Sequence, residues 1–410
     1  MKNFDEMIKN YAKLVVQTGL NIQPDQTLVI RSSIECSDFV RLAAEAAYDL
    51  GAGNVEVIWA DAELDRIKML KAPKEKLGDY PNWLGEAFEI NGKKGAAFLS
   101  ISSANPDLLK GVPNDRVSAF NKGYTDVIQS LLKYTMNNDV PWCVIGVPTK
   151  GWAKKVFPDM PVEEAVEKLW EKIFYTTRVD QGDAVEAWKK HIEKNNKNVK
   201  FLNEKHFKTL HYKSSTADLN IELDKDHQWC GCGEVSANNI YFVANMPTEE
   251  VFTVPKKDGV NGTIKSTKPL VYLGSLINNF TLVFKEGKII DFSAEVGYEA
   301  LKNLISTDEG SHYLGEVALV PYDSPISNTG IIFYNTLFDE NASCHLAIGK
   351  GYPSCIKGGT KMNSEELKLH GVNSSLTHND FMVGGKDLDI IGETYDGEKI
   401  QIFKDGNWAF

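Results

Sequence analysis

The feature that most constrains this chain is a change of hydrophobic period part-way along it. Up to about Glu193, short apolar runs alternate with helical stripes; from Asp218 onward, strand-like runs follow one another directly. Strands separated by helices predict a doubly wound, largely parallel sheet, whereas strands joined by tight turns predict antiparallel pairing. In the first part, Phe4 to Gly19 reads as a helix with Met7, Tyr11, Leu14 and Val15 on one stripe. Strands are expected at Thr27 to Ile34, Asn54 to Ala60, Ala96 to Ser102 and Trp142 to Pro148, with helices at Ser37 to Leu50, Trp83 to Ile90 and Tyr124 to Met136. Further helical stripes cover Met160 to Thr177 and Asp180 to Glu193. In the second part, strands are expected at Ala217 to Leu223, Ile240 to Ala244, Pro269 to Tyr272, Asn279 to Phe284, Lys288 to Phe292, Ile331 to Tyr334 and Asp387 to Gly392. A helix is expected near Glu295 to Ser306, and Glu286-Gly287, Asp396-Gly397 and Asp405-Gly406 stand where hairpin turns would fall. The polar run KNNKNVKFLNEK, Lys194 to Lys205, reads as a domain boundary or a long surface connection. The expected architecture is an α/β domain over residues 1–188 and an α+β domain with a mostly antiparallel sheet over residues 189–410.

Composition narrows the function. The 45 basic and 56 acidic residues give a net charge of −11, which disfavours nucleic acid and anionic membrane as partners. The opening residues carry acids and no continuous apolar stretch, and no apolar run approaches the roughly 18 residues of a spanning helix. Six cysteines scattered over 410 residues do not form a disulfide framework, so a cytoplasmic, reduced protein is expected. The Gly51-Ala52-Gly53 turn follows a helix and precedes a strand, the reverse of the dinucleotide-binding order.

Several segments could carry chemistry. In LTHNDFMVGG, an extended backbone would project His378 and Asp380 from one face. Glu316 lies inside Gly315-Glu316-Val317-Ala318-Leu319-Val320, a run apolar enough to be buried, and a buried carboxylate requires a cation or a strong hydrogen-bond partner. Glu249 and Glu250 are adjacent in MPTEEVF, a pattern also typical of a solvated turn. Glu340 and His345 lie in IIFYNTLFDENASCHLAIGKG, which on its own also fits a buried strand entering a helix, with Asp339 or Asn341 as cap and His345 as a core imidazole. Four carboxylates and two imidazoles together suit borderline divalent ions better than calcium or a thiolate-closed structural zinc. Cys230-Gly231-Cys232 has no second cysteine pair at zinc spacing and reads as a tight turn, and Cys344 reads as a small buried thiol.

The motifs NMPTEEVFT, GEVAL, FYNTLFDENASCHLAIGKGY and HNDFMVG, in this order, resemble the aminopeptidase T and aminopeptidase S family of dinuclear metallo-aminopeptidases, and the resemblance runs the length of the chain. It implies that Glu250, Glu316, Glu340, His345, His378 and Asp380 bind two divalent ions, zinc or cobalt first, with manganese or magnesium as further options. It places Tyr352 in the active site and implies a homodimer acting on peptides with a free N-terminus. On that basis Glu316 would bridge the ions, and an ion-held hydroxide would attack the scissile carbonyl. Tyr352 would donate to the developing oxyanion, and Glu249 would pass a proton from the attacking water to the leaving amine. Two other readings stay open. A two-metal phosphoesterase could use the same ligand types but calls for a basic phosphate cluster, toward which only Lys350 and Lys357 stand nearby in sequence. A non-catalytic peptide-binding protein could keep the fold without turnover.

Overall fold

The central apolar run Leu28-Val29-Ile30 is wholly buried because it lies inside a parallel sheet, in register with Val55-Glu56-Val57 on one side and Ala97-Phe98-Leu99 on the other. The computed structural model describes residues 3–273 and 275–410. The chain forms two compact units, Met1–His191 with Gly233–Pro247, and Ile192–Cys232 with Thr248–Phe410. In the first, the strand order is Asn54–Ala60, Thr27–Ser33, Ala97–Ser102, Trp142–Gly146 and Asn245–Met246, all parallel. Helices Phe4–Leu14, Ser37–Asp49, Asn82–Lys93, Asn114–Thr135 and Val162–Thr176 accompany it, as the alternating period predicts. Tyr11 packs its ring against Phe39, Trp170 and Phe174, tying three of these helices together.

The second unit is antiparallel. Among the described residues it holds a nine-stranded sheet that includes Ala217–Glu222, Ser275–Lys285, Lys288–Val296 and Asp389–Thr394. The expected hairpin turns connect Ser275–Lys285 to Lys288–Val296, Asp389–Thr394 to Lys399–Lys404, and Lys399–Lys404 to Asn407–Trp408. A second sheet has four strands in the order Val251–Thr253, Leu314–Leu319, His345–Gly349 and His378–Met382, and every candidate strand-borne ligand lies on it. No helix among the described residues is long and apolar enough to cross a membrane.

Two local expectations are corrected. Lys194 to Lys205 is not a long surface connection but the second half of a helix, Ala184–Lys205. Asn195, Val199 and Leu202 form its inward stripe, and the run looks polar because Lys194, Asn196, Lys197, Lys200, Asn203 and Glu204 are its exposed face and the inward Asn195 adds to them. Ile331 to Tyr334 is not a strand. The buried Asp339 carboxylate accepts the N–H of Phe333 at 2.8 Å and of Asn335 at 3.1 Å, which removes those donors from any ladder. Asp339 therefore folds the preceding loop back rather than capping a following helix, and Asn341 is not a helix N-cap either: its side-chain oxygen accepts the N–H of Glu249.

Candidate metal centre

The four-stranded sheet separates its two faces by residue parity. Val317, Leu319, Leu346, Ile348 and Phe381 point into the main core of the second unit, so Glu316, His345, His378 and Asp380 share the opposite face. Gly315 supplies the phase. It is the extra residue of a bulge between Leu314 and Glu316, so that Leu314 pairs with Ile348 on the core side while Glu316 pairs with Ala347 on the other. A Cβ on Gly315 would come within 2.4 Å of the carbonyl oxygens of Gly349 and Lys350, so only glycine fits there. Each strand-borne ligand also has a small residue directly across: Ala318 opposite His345, Ala347 opposite both Glu316 and Asp380, and Gly349 opposite His378. The long polar side chains gather over that shallow floor.

The gathered atoms form two groups. His345 Nε2 lies 3.1 Å from Glu250 Oε2 and 3.5 Å from Glu316 Oε1. His378 Nε2 lies 3.3 Å from Glu316 Oε2 and 3.3 Å from Asp380 Oδ1. Within each group the possible ligand atoms all fall within 4.8 Å of one another, and Glu316 belongs to both, one oxygen to each. Both imidazoles are oriented from behind. Nδ1 of His345 faces the Ser343 carbonyl at 3.3 Å, and Nδ1 of His378 faces the Lys350 carbonyl at 2.6 Å. Since a carbonyl only accepts, Nδ1–H is the donor there, which leaves Nε2 as the nitrogen that could bind a cation once its own proton is displaced.

Charge makes the same demand. Burial pushes the Glu340 carboxyl up, and the charges of Asp380 and Glu250 push it further, well above the usual range. Burial also raises Glu316, but hydrogen bonds from the two imidazoles outweigh it and hold the carboxyl at about 2. Burial lowers His345 and His378, yet the carboxylates around them raise both well above the ordinary histidine value. Asp380 Oδ1 is buried without a hydrogen bond, despite the nearby imidazole. An oxygen-rich donor set with an orphaned buried carboxylate oxygen and mutually repelling acids fits divalent cations.

The other expected residues lie around this core. Glu340 is buried in a short turn, Glu340–Ala342, within electrostatic reach of Asp380 and Glu250 but outside both tight groups. Glu249 is buried beside Glu250, with its backbone N–H donating to Asn341 Oδ1 at 2.7 Å. Tyr352 sets its ring edge-on to His378 at a centroid distance of 5.0 Å and packs against Phe252 at 5.9 Å. Burial, followed by the charges of Glu316, Asp380, Glu250 and Glu340, raises its phenol well above the usual value, so it remains a hydrogen-bond donor. A small recess with space for about one water borders Asp380 and is lined by Pro269, Leu270, Val271, Tyr334, Asn335, Thr336, Asp339 and Met382.

Elsewhere, Cys344 is a buried thiol directed at the Val320 carbonyl, and Cys230 pairs by backbone with Phe252, so neither joins the centre. A third set of ligand atoms, Asp224, Asp226 and His370, was not singled out by sequence reasoning. It is half-exposed and closed by a 2.9 Å contact between His370 Nδ1 and Asp224 Oδ1. Sequence reasoning also missed Asn195 and gave Asn341 only the role of a helix cap; the amides of both reach the backbone of the Glu249–Glu250 pair.

A carboxylate-and-histidine centre on an antiparallel sheet defines a candidate divalent-metal protein, and comparison with known proteins names the family. The thermophilic metalloprotease (M29) profile matches residues 4–408, and the chain belongs to that peptidase family. It is 50% identical to aminopeptidase AmpS of Bacillus subtilis over 410 residues, covering all of both chains. It is 38% identical to aminopeptidase T of Thermus aquaticus, again over the whole of both chains. The solved structure of wild-type AmpT from Thermus thermophilus superposes with a TM-score of 0.93 at 37% identity, covering 99% of this chain and all of that one.

Proposed function

We propose that this metalloprotease-family chain is an aminopeptidase that binds two divalent ions through Glu250, Glu316, Glu340, His345, His378 and Asp380 and releases N-terminal residues from peptides. The observation that carries the reading is the Glu316 carboxylate, one oxygen of which lies in the group with Glu250 and His345 and the other in the group with His378 and Asp380. Bound there, two ions of the zinc or cobalt type supply a water acidified toward neutral pH and polarisation of the scissile carbonyl.

The protein's own groups do the rest. Glu316 would hold both ions, and the two carbonyl-anchored imidazoles would each offer Nε2. The free α-amine of the substrate would be a further ligand of one ion, which favours removal of terminal residues over internal cleavage. Tyr352 keeps its proton and donates it in a hydrogen bond to the oxygen that gains charge as the carbonyl becomes tetrahedral. Glu249 takes a proton from the attacking water and returns it to the departing amine as the C–N bond breaks.

The phosphoesterase alternative is not favoured, because the centre is ringed by acids and the family is a peptidase family. The six cysteines are thiols, which agrees with a cytoplasmic setting, and a homodimer is the assembly implied by the family resemblance. The deciding experiment is hydrolysis of amino-acid arylamides and of N-acetylated counterparts, before chelation, after it, and after zinc or cobalt is restored. Activity that survives complete metal removal, or equal cleavage of blocked N-termini, sinks the reading.

A further inference from the structure

Glu249 and Glu250 lie outside regular structure, since the adjoining strand begins at Val251. Buried irregular backbone must satisfy its own donors and acceptors, and here two side-chain amides do so. Asn341 Oδ1 accepts the N–H of Glu249 at 2.7 Å, and Asn195 Nδ2 donates to the C=O of Glu250 at 2.9 Å. Both asparagines are buried, Asn195 at 4% exposure and Asn341 at 0%. Each is fixed by its other atom as well. Asn195 Oδ1 accepts the N–H of Cys232 at 3.0 Å, and Asn341 Nδ2 donates to the Leu337 carbonyl at 3.2 Å. Turning either amide over would set like against like at both ends, so each has one satisfied orientation.

The arrangement is closely fitted. Gly231 passes so near that a Cβ there would stand 2.1 Å from Asn195 Oδ1, which accounts for the glycine between two cysteines. Asn195 is mounted on the long helix Ala184–Lys205, and Asn341 follows Glu340 directly, with Nδ2 at 3.5 Å from Glu340 Oε1. One amide thus anchors the Glu250 segment to a helix, and the other anchors it to the turn that carries Glu340.

We propose that Asn195 and Asn341 are positioning residues that clamp the Glu249–Glu250 backbone from both ends and thereby set Glu250 against Glu316 and His345. The inference rests on the proposed two-ion reading. Releasing either end lets Glu250 drift from one ligand group, while Glu316, His378 and Asp380, which the strands hold, keep theirs. The clamp therefore acts on one ion rather than on both.

The test is equilibrium binding of zinc to metal-free protein, read as stoichiometry and affinity by dialysis with elemental analysis, with the melting temperature of the metal-free form as a fold control. The parent is measured first; fewer than two bound ions there counts against the two-ion reading, not against the clamp. Asn195→Ala and Asn341→Ser are expected to keep one ion at parental affinity and to bind the other about 10- to 100-fold more weakly. Exposed Asn196→Ala serves as the control and should match the parent. If Asn195→Ala does not fold, Asn341→Ser carries the same expectation from the other end. Parental affinity for both ions in a folded variant overturns the proposal, as does equal weakening of both, which would mark a general structural role.

Discussion

His378 Nε2 lies 3.3 Å from Oε2 of Glu316, while the other oxygen of the same carboxylate lies 3.5 Å from His345 Nε2. A glutamine at 316 keeps the shape but replaces one oxygen with an NH2 donor, which cannot serve a cation. Removing groups that merely orient ligands costs about 10- to 100-fold in metal affinity, so losing a shared ligand is expected to reach at least the upper end. Glu316→Gln should lose bound metal and activity together. Metal analysis beside arylamide turnover checks this, and a variant that retains two ions and parental turnover removes Glu316 from the bridging role.

Tyr352 offers a contrast, because it touches the His378 ring without belonging to either ligand group. Tyr352→Phe should bind metal as the parent does, with an unchanged KM. Loss of one oxyanion donor typically lowers kcat by about 10²- to 10³-fold. Turnover at the parental rate would show that the phenol does not stabilise the transition state.

Much of this arrangement could be read from local pattern, and what could not has identifiable physical causes. The alternation of strands and helices before Glu193, the hairpin dipeptides and the shared face of His378 and Asp380 all follow from short-range periodicity. Glu316 stood out because an acid inside an apolar run has to be compensated. The row Glu316, Ala347, Asp380 depends on pairing between segments far apart in sequence, so motif resemblance, not periodicity, brought those residues together. Ile331 to Tyr334 was misread because its apolar content resembles a strand, while the carboxylate that folds it lies several residues downstream. Asn195 was hidden for the opposite reason: polar side chains look solvated until a partner, here 55 residues away, is known.

Metal removal should change stability as well as activity. Ions that bind only the folded protein add RT ln(1 + [L]/Kd), about 2.7 kcal/mol for one site at a hundredfold excess over Kd. Without them, the acids around Asp380 and Glu340 are left to repel one another. The melting midpoint should rise by several degrees with free zinc concentration and return to its metal-free value on chelation. A midpoint indifferent to zinc over a thousandfold range would mean that these side chains do not bind it in the folded state.

His227 supplies a pH dependence separate from the centre. Its Nδ1–H donates to the Asp224 carbonyl at 2.6 Å, and Nε2 is buried without a partner. Burial, the largest influence, lowers its pKa to about 4. The unfolded chain titrates near the ordinary histidine value of about 6.5, so between these values the unfolded state binds the extra proton. Stability from this residue is therefore fully present above about pH 6.5 and is lost as pH falls toward 4, by up to about 3 kcal/mol. Parallel denaturant unfolding of the parent and His227→Asn, which can still donate to the Asp224 carbonyl, isolates the contribution, because all other titrating groups cancel in the difference. The parent should lose more stability than the variant between pH 6.5 and 4, with the two curves parallel above that window. Curves that remain parallel throughout would mean that His227 protonates in the folded state without penalty.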